Sequence, residues 1–202
     1  MCVNSTIRPG DAVVVLGPGP IGLLCTRMAA LSGANPLIVG GLTGDEARLE
    51  AARSLGATHA VNIQQENLGE LVRSLSPLGA DLVCDASGAS DSLETALRLT
   101  RPDGQVIKVG WSPDVIPVDV NPLVLGNIRV QGSFSHNFGI WERVIHLLDT
   151  GVTMTATSCT ENASLISKRS TSASFQPTLA ATFRTASTGV IMTSFGSSPL
   201  VA

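Results

Sequence analysis

Short apolar runs that alternate with amphipathic stretches constrain this chain more than any other feature. The apolar runs are DAVVVLG (11–17), NPLIVGG (35–41), THAVNI (58–63), ADLVCDASG (80–88), PDGQVIKVG (102–110) and NIRVQGSF (127–134). Each is too short for a buried helix and ends near glycine or a polar cluster, so each reads as a strand. Between and after them lie helix-period segments. In PIGLLCTRMAALSG, Ile21, Leu24, Met28 and Leu31 recur at helical spacing and Gly33 closes the run. ARLEAARSLG, ENLGELVRSLS, SDSLETALRLT and FGIWERVIHLLDTG read the same way. Thr43-Gly44-Asp45-Glu46 has the form of a capping box for the second helix. Strands joined by crossover helices form a parallel sheet with right-handed connections. Strands apolar along their whole length have both faces covered. The expected architecture is an α/β, doubly wound parallel sheet of about six strands.

At 202 residues the chain has room for one such domain and a tail. The division falls near Gly151: residues 1–151 form the α/β domain and 152–202 a low-complexity tail. Roughly two in five tail residues are Ser or Thr, and its only charges are Glu161, Lys168, Arg169 and Arg184. That composition buries too little apolar surface to offset the entropy of ordering. The tail is expected to be disordered or aberrant, for instance the product of a shifted reading frame. A net charge of −3 argues against binding nucleic acid by phosphate neutralisation. No apolar run reaches the length that spans a bilayer, and MCVNSTIRPGD lacks the apolar stretch of a signal peptide. A cytoplasmic protein without membrane contact is expected. Cys2, Cys25, Cys84 and Cys159 show no metal-ligand spacing; Cys25 and Cys84 read as small buried hydrophobes.

Gly17-Pro18-Gly19-Pro20-Ile21-Gly22 is a GxGxxG turn. Its setting between a strand and a helix gives the glycines physical tasks. Gly17 permits the tight turn, Gly19 lets a pyrophosphate approach the backbone, and Gly22 lets helix pack on strand. Free first-turn amides and the helix dipole favour the phosphate charge. Pro20 gives up an amide that has no intrahelical partner.

With these residues in view the chain resembles the cofactor domain of medium-chain, zinc-dependent alcohol and polyol dehydrogenases. The similarity is closest to the sorbitol and threonine dehydrogenase branch. It runs from about Ile7 to Gly151 through IRPGDAVVVLGPGPIGLLCTRMAALSGA, RLEAARSLGATHAVN, ADLVCDASGASDSLETALRLTRPDGQVIKVG and IRVQGSFSHNFGIWERVIHLLDTG. The resemblance implies a Rossmann domain that binds NAD or NADP. It implies a pyrophosphate loop at Gly17, Gly19, Pro20, Ile21 and Gly22, and Arg48 along the adenosine ribose. It implies Val109, Gly110 and Trp111 under the nicotinamide ring, and Ser133, Phe134 and Ser135 at the carboxamide. One departure bears on the cofactor. Gly40 and Gly41 stand where NAD-binding domains place the acid that binds the ribose diol, while Asp45 and Glu46 come late, in the first turn of the next helix. NAD and NADP both stay open.

The family also implies a zinc site that polarises a substrate alkoxide, but no ligand set for it occurs in this chain. Cys2 has no partner ligand, and His59, His136 and His146 fall on a strand start, a loop and a helix. The implied function is the NAD(P)-binding part of a dehydrogenase that oxidises a secondary alcohol or polyol, inactive without its zinc domain. The alternatives are a non-catalytic dinucleotide-binding module and an inert fragment. A homodimer through the sheet edge near VIPVDV and NIRVQG is a further implication, with SPDVIPVDVNP as a possible edge cover.

Overall fold

A computed structural model describes residues 4–134 and 138–150. Twelve elements follow in order: β1 (Val13–Leu16), α1 (Pro20–Leu31), β2 (Leu37–Gly41), α2 (Glu46–Ser54), β3 (His59–Asn62), α3 (Leu68–Leu75), β4 (Ala80–Asp85), α4 (Ser92–Leu99), β5 (Thr100–Lys108), α5 (Asn121–Leu125), β6 (Arg129–Gly132) and α6 (Phe138–Asp149). The six strands form one parallel sheet in the order β3-β2-β1-β4-β5-β6. This is the expected doubly wound Rossmann arrangement. Residues 151–202, and with them the expected tail, lie outside the described residues.

The alternation of side chains along β1 builds two cores at once. Val13 and Val15 point into a cluster with Leu23, Cys25 and Ala29 of α1 and with Leu49 and Ala52 of α2. Val14 and Leu16 point the other way, toward Leu68 and Val72 of α3 and Ala96 and Leu97 of α4. Every residue of β1 and β2 is buried, so covering on both faces holds at the centre of the sheet. It fails at β6, whose four residues are all exposed.

Three local readings are corrected. Thr43 and Glu46 do not form a capping box. Asp45 is the N-cap of α2, the Thr43 hydroxyl accepts from the Asn62 amide, and Glu46 accepts from the Gly44 N–H. The reciprocal cap forms one helix later: Asn67 accepts from the Glu70 N–H while its own amide donates to the Glu70 carboxylate. β5 begins at Thr100, before the Pro102-Asp103-Gly104 turn. The chain bulges there, with register jumping between Ala80↔Thr100 and Leu82↔Gln105 and Asp103 at φ 58°. VIPVDV is irregular and pairs with no strand, and the short α5 follows it.

Sequential strands step outward from β1 through β2 to β3, and the chain then returns to lay β4 on the other side of β1. The connections after β1 and β4 therefore diverge, which opens a crevice at the carboxyl ends of these two strands.

Candidate dinucleotide site

Glycine governs how three loops meet at that crevice. Gly17 follows β1 at φ +91°, and a Cβ there would lie 2.8 Å from Ser87 Cα. A Cβ on Gly22 would lie 1.9 Å from the Gly17 carbonyl oxygen, so only glycine lets α1 start this close to β1. Gly19 differs: a Cβ there would meet nothing within 4 Å. Its flank is open space at the mouth of the crevice. Gly19 is the N-cap of α1 and offers no side chain, Pro20 has no N–H, and no side chain caps the helix. Among the described residues the first-turn end of α1 is thus a positive pole that no side chain caps, suited to an anion. Ile21 is exposed beside it.

The loops after β4 and β5 close against the same turn. Gly110 passes so near that a Cβ would lie 2.5 Å from the Gly88 nitrogen, and one on Gly88 would lie 2.9 Å from the Trp111 carbonyl oxygen. Val109 is half-buried against the α1 side of the core, whereas Trp111 is exposed. At the end of β6 the Ser133 N–H donates to the Lys108 carbonyl at 2.9 Å, and Phe134 is exposed. Ser135 lies outside the described residues, as do His136 and Cys2. Gly17, Gly19, Pro20, Ile21, Gly22, Val109, Gly110, Trp111, Ser133 and Phe134 thus stand at carboxyl ends of β1, β5 and β6 or at the start of α1.

Arg48 sits in the first turn of α2 and is ion-paired to Asp45 at 2.9 Å. The second Asp45 oxygen accepts from the Leu42 N–H at 3.1 Å. This turn abuts the glycine loop, since a Cβ on Gly41 would lie 2.9 Å from Pro18 Cγ. An acidic side chain at Gly41, the place the NAD pattern leads one to expect it, would strike that proline.

A buried polar cluster that sequence reasoning missed lies beneath the mouth. Asp85 ends β4 with no solvent exposure. Its carboxylate accepts from Lys108 Nζ at 2.6 Å, Ser92 Oγ at 2.8 Å, Ser87 Oγ at 3.1 Å and the Ser87 N–H at 3.2 Å. Its carbonyl accepts from the Val109 and Gly110 N–H groups. Asp85 thereby ties the loop after β4 to the loop after β5. The visible signal was an acid closing an otherwise apolar buried run, which must find a partner.

Among the other marked residues, His59 opens β3 within 3.0 Å of the Thr58 hydroxyl, and His146 lies exposed on α6. Among the described residues no group of His, Cys, Asp and Glu could hold a metal ion, and no helix is long and apolar enough to cross a membrane. Cys25 and Cys84 are buried free thiols. Contact with Cys25 and burial in aliphatic surroundings push the Cys84 thiol well above its ordinary range.

Comparison with known proteins follows the same lines. The chain is 36% identical over 148 residues to a sorbitol dehydrogenase of Halalkalibacterium halodurans, a match that covers 72% of this chain and 43% of that protein. It is 37% identical over 153 residues to a D-arabitol-phosphate dehydrogenase of Enterococcus avium, covering 75% of this chain and 43% of that protein. The chain therefore spans less than half the length of these relatives. A Sinorhizobium meliloti 1021 structure described as a zinc-binding dehydrogenase bound to NADP superposes with a TM-score of 0.70 at 28% identity, over 76% of this chain and 45% of that one. Residues 20–150 match the family model for zinc-binding dehydrogenases. With that match laid over the parallel sheet and its glycine-lined crevice, the chain belongs to the zinc-binding dehydrogenase family.

Proposed function

We propose that residues 1–151 form the dinucleotide-binding domain of an NAD(P)-dependent dehydrogenase acting on a secondary alcohol or polyol. The observation that carries this reading is the open flank of Gly19 at the uncapped start of α1. A pyrophosphate placed there meets first-turn amides and the positive end of the helix, with no Cβ in the way. The named relatives act on polyols and polyol phosphates, which supports that substrate class. When bound, the nicotinamide supplies the hydride acceptor. Val109, Gly110 and Trp111 would flank its ring, and Ser133 to Ser135 would meet its carboxamide. Arg48 would lie along the adenosine ribose. The residues described here do not fit a zinc ion, so no chemical step is assigned to one.

That no group of His, Cys, Asp and Glu among the described residues could hold a metal ion supports a second reading, a dinucleotide-binding module without turnover. Calorimetric titration of the purified chain with NADH and NADPH tests the first reading. Saturable binding with one of them is expected, and no heat with either refutes it. An alcohol-oxidation assay with added zinc then separates the two readings, since the module binds without turning over. We also place a homodimer at the β6 edge, on the ground that Arg129–Gly132 is an exposed terminal strand, and the protein in the cytoplasm.

A further inference from the structure

A cleft of about 200 Å³ opens at the end of the sheet opposite the glycine loops. Its charged lining comes from the amino ends of four neighbouring strands. Arg8 and Asp11 precede β1, Asp81 lies at the start of β4, Arg101 and Asp103 at the start of β5, and Arg129 at the start of β6. Thr6 completes the lining, so no apolar side chain faces the space. Three arginines against three aspartates sum to zero charge. The internal bonds spend that balance unevenly. Arg101 Nε donates to Asp81 Oδ1 at 2.6 Å, and Asp81 Oδ2 accepts from the Ala12 N–H at 2.8 Å, so this pair is closed. Among the described residues the Arg8 guanidinium makes no hydrogen bond or ion pair, and Arg129 donates only to the Thr6 hydroxyl at 3.3 Å. Asp11 accepts from the Arg8 N–H at 2.7 Å, and Asp103 accepts from the Asn127 side-chain amide. Each of these two acids keeps its other oxygen uncommitted.

The cleft therefore offers two guanidiniums without a carboxylate and two carboxylates without a cation. A guanidinium carries a fork of N–H donors that matches a carboxylate, and an ionised carboxylate accepts from an ammonium. A simple anion would gain from Arg8 and Arg129 but meet the charges of Asp11 and Asp103. A simple cation would meet the reverse. A ligand that carries both charges is complementary to all four groups. The space is several times the ~30 Å³ share of a water molecule, which suits a ligand of a few heavy atoms. We propose that this cleft binds a small zwitterion of the amino-acid class. Arg8 and Arg129 hold its carboxylate, and Asp11 and Asp103 hold its ammonium. The site stands at the opposite ends of the strands from Gly17 and does not rest on the dinucleotide reading.

The test is an amide-resolved NMR titration of the full chain with L-alanine, propionate and ethylamine at matched ionic strength. The last two each keep one of alanine's charges, and none of the three is an alcohol. Saturable shifts with L-alanine are expected at the Thr6, Arg101 and Arg129 amides. Propionate and ethylamine are each expected to bind at least about fivefold more weakly. Arg8, Asp103 and Arg129 are exposed, so Arg8→Gln, Arg129→Gln and Asp103→Asn are expected to fold as the parent does. Asp103→Asn also keeps an oxygen for Asn127. Each variant is expected to weaken alanine binding about threefold or more. No saturation by L-alanine up to about 50 mM overturns the proposal. So does propionate or ethylamine binding as tightly as alanine, and so does an affinity unchanged in all three variants.

Discussion

At the scale of single residues, the glycines of the first turn separate packing from ligand contact. Gly22→Ala forces a Cβ onto the Gly17 carbonyl and is expected to cost about 3 kcal/mol in chemical denaturation. Gly19→Ala enters open space at an ordinary backbone conformation and should leave stability within about 0.5 kcal/mol. It should nonetheless weaken dinucleotide binding at least about tenfold, since its methyl occupies the space proposed for the pyrophosphate. A Gly19→Ala variant with unchanged affinity would contradict the proposed seat. Asp85→Ala removes the partner of a mostly buried Lys108. About 3 kcal/mol of stability should be lost, measured by urea unfolding, because an ammonium is left uncompensated. Native alkylation followed by mass spectrometry should leave Cys84 unmodified until the chain unfolds, since its thiol is buried and held in the protonated form. The glycines were legible because a backbone that must turn sharply or approach closely admits little else. The Arg48 pairing was not, because the sequence shows an arginine three residues from an aspartate without showing which groups compete for either.

The elements were legible wherever period and burial agree. β1, β2 and β4 lie in the middle of the sheet, and continuous apolar runs mark such strands. The α2 cap was misread because Thr43 had a better partner across the sheet end in Asn62, a contact nineteen residues away. β5 starts two residues before the expected run because Pro102-Asp103-Gly104 forms a bulge inside the strand and not its beginning. Gly104 makes that bulge possible: a Cβ there would lie 2.5 Å from Thr100 Cγ2 and 2.8 Å from the Arg101 carbonyl. Gly104→Ala is therefore expected to cost about 1–3 kcal/mol by thermal or urea unfolding. At the other end of the sheet, Val130 lies on the exposed terminal strand. If copies pair there, Val130→Lys should shift light scattering from dimer toward monomer, because a buried edge does not accept an unpaired charge. A monomeric parent chain would remove the dimer proposal and leave the crevice untouched.

For the whole molecule, the sheet order places the crevice, and the two cores pack beneath it on either face of the sheet. β1 feeds both cores and then delivers Gly17 to the mouth, while β4 delivers Asp85 and the loop that packs on Gly17. The sequence motifs located that mouth because strand, glycine turn and helix are contiguous in the chain. The buried Asp85 network depends on residues brought together from β4, β5 and α4, so it required the fold. The central claim is that the first turn of α1 is a diphosphate seat. Its most direct test is an amide-resolved NMR titration of the full chain with NADH and NADPH. The Ile21 and Gly22 amides are predicted to shift on saturation, together with Gly110. Unmoved Ile21 and Gly22 signals at saturating dinucleotide would contradict the account.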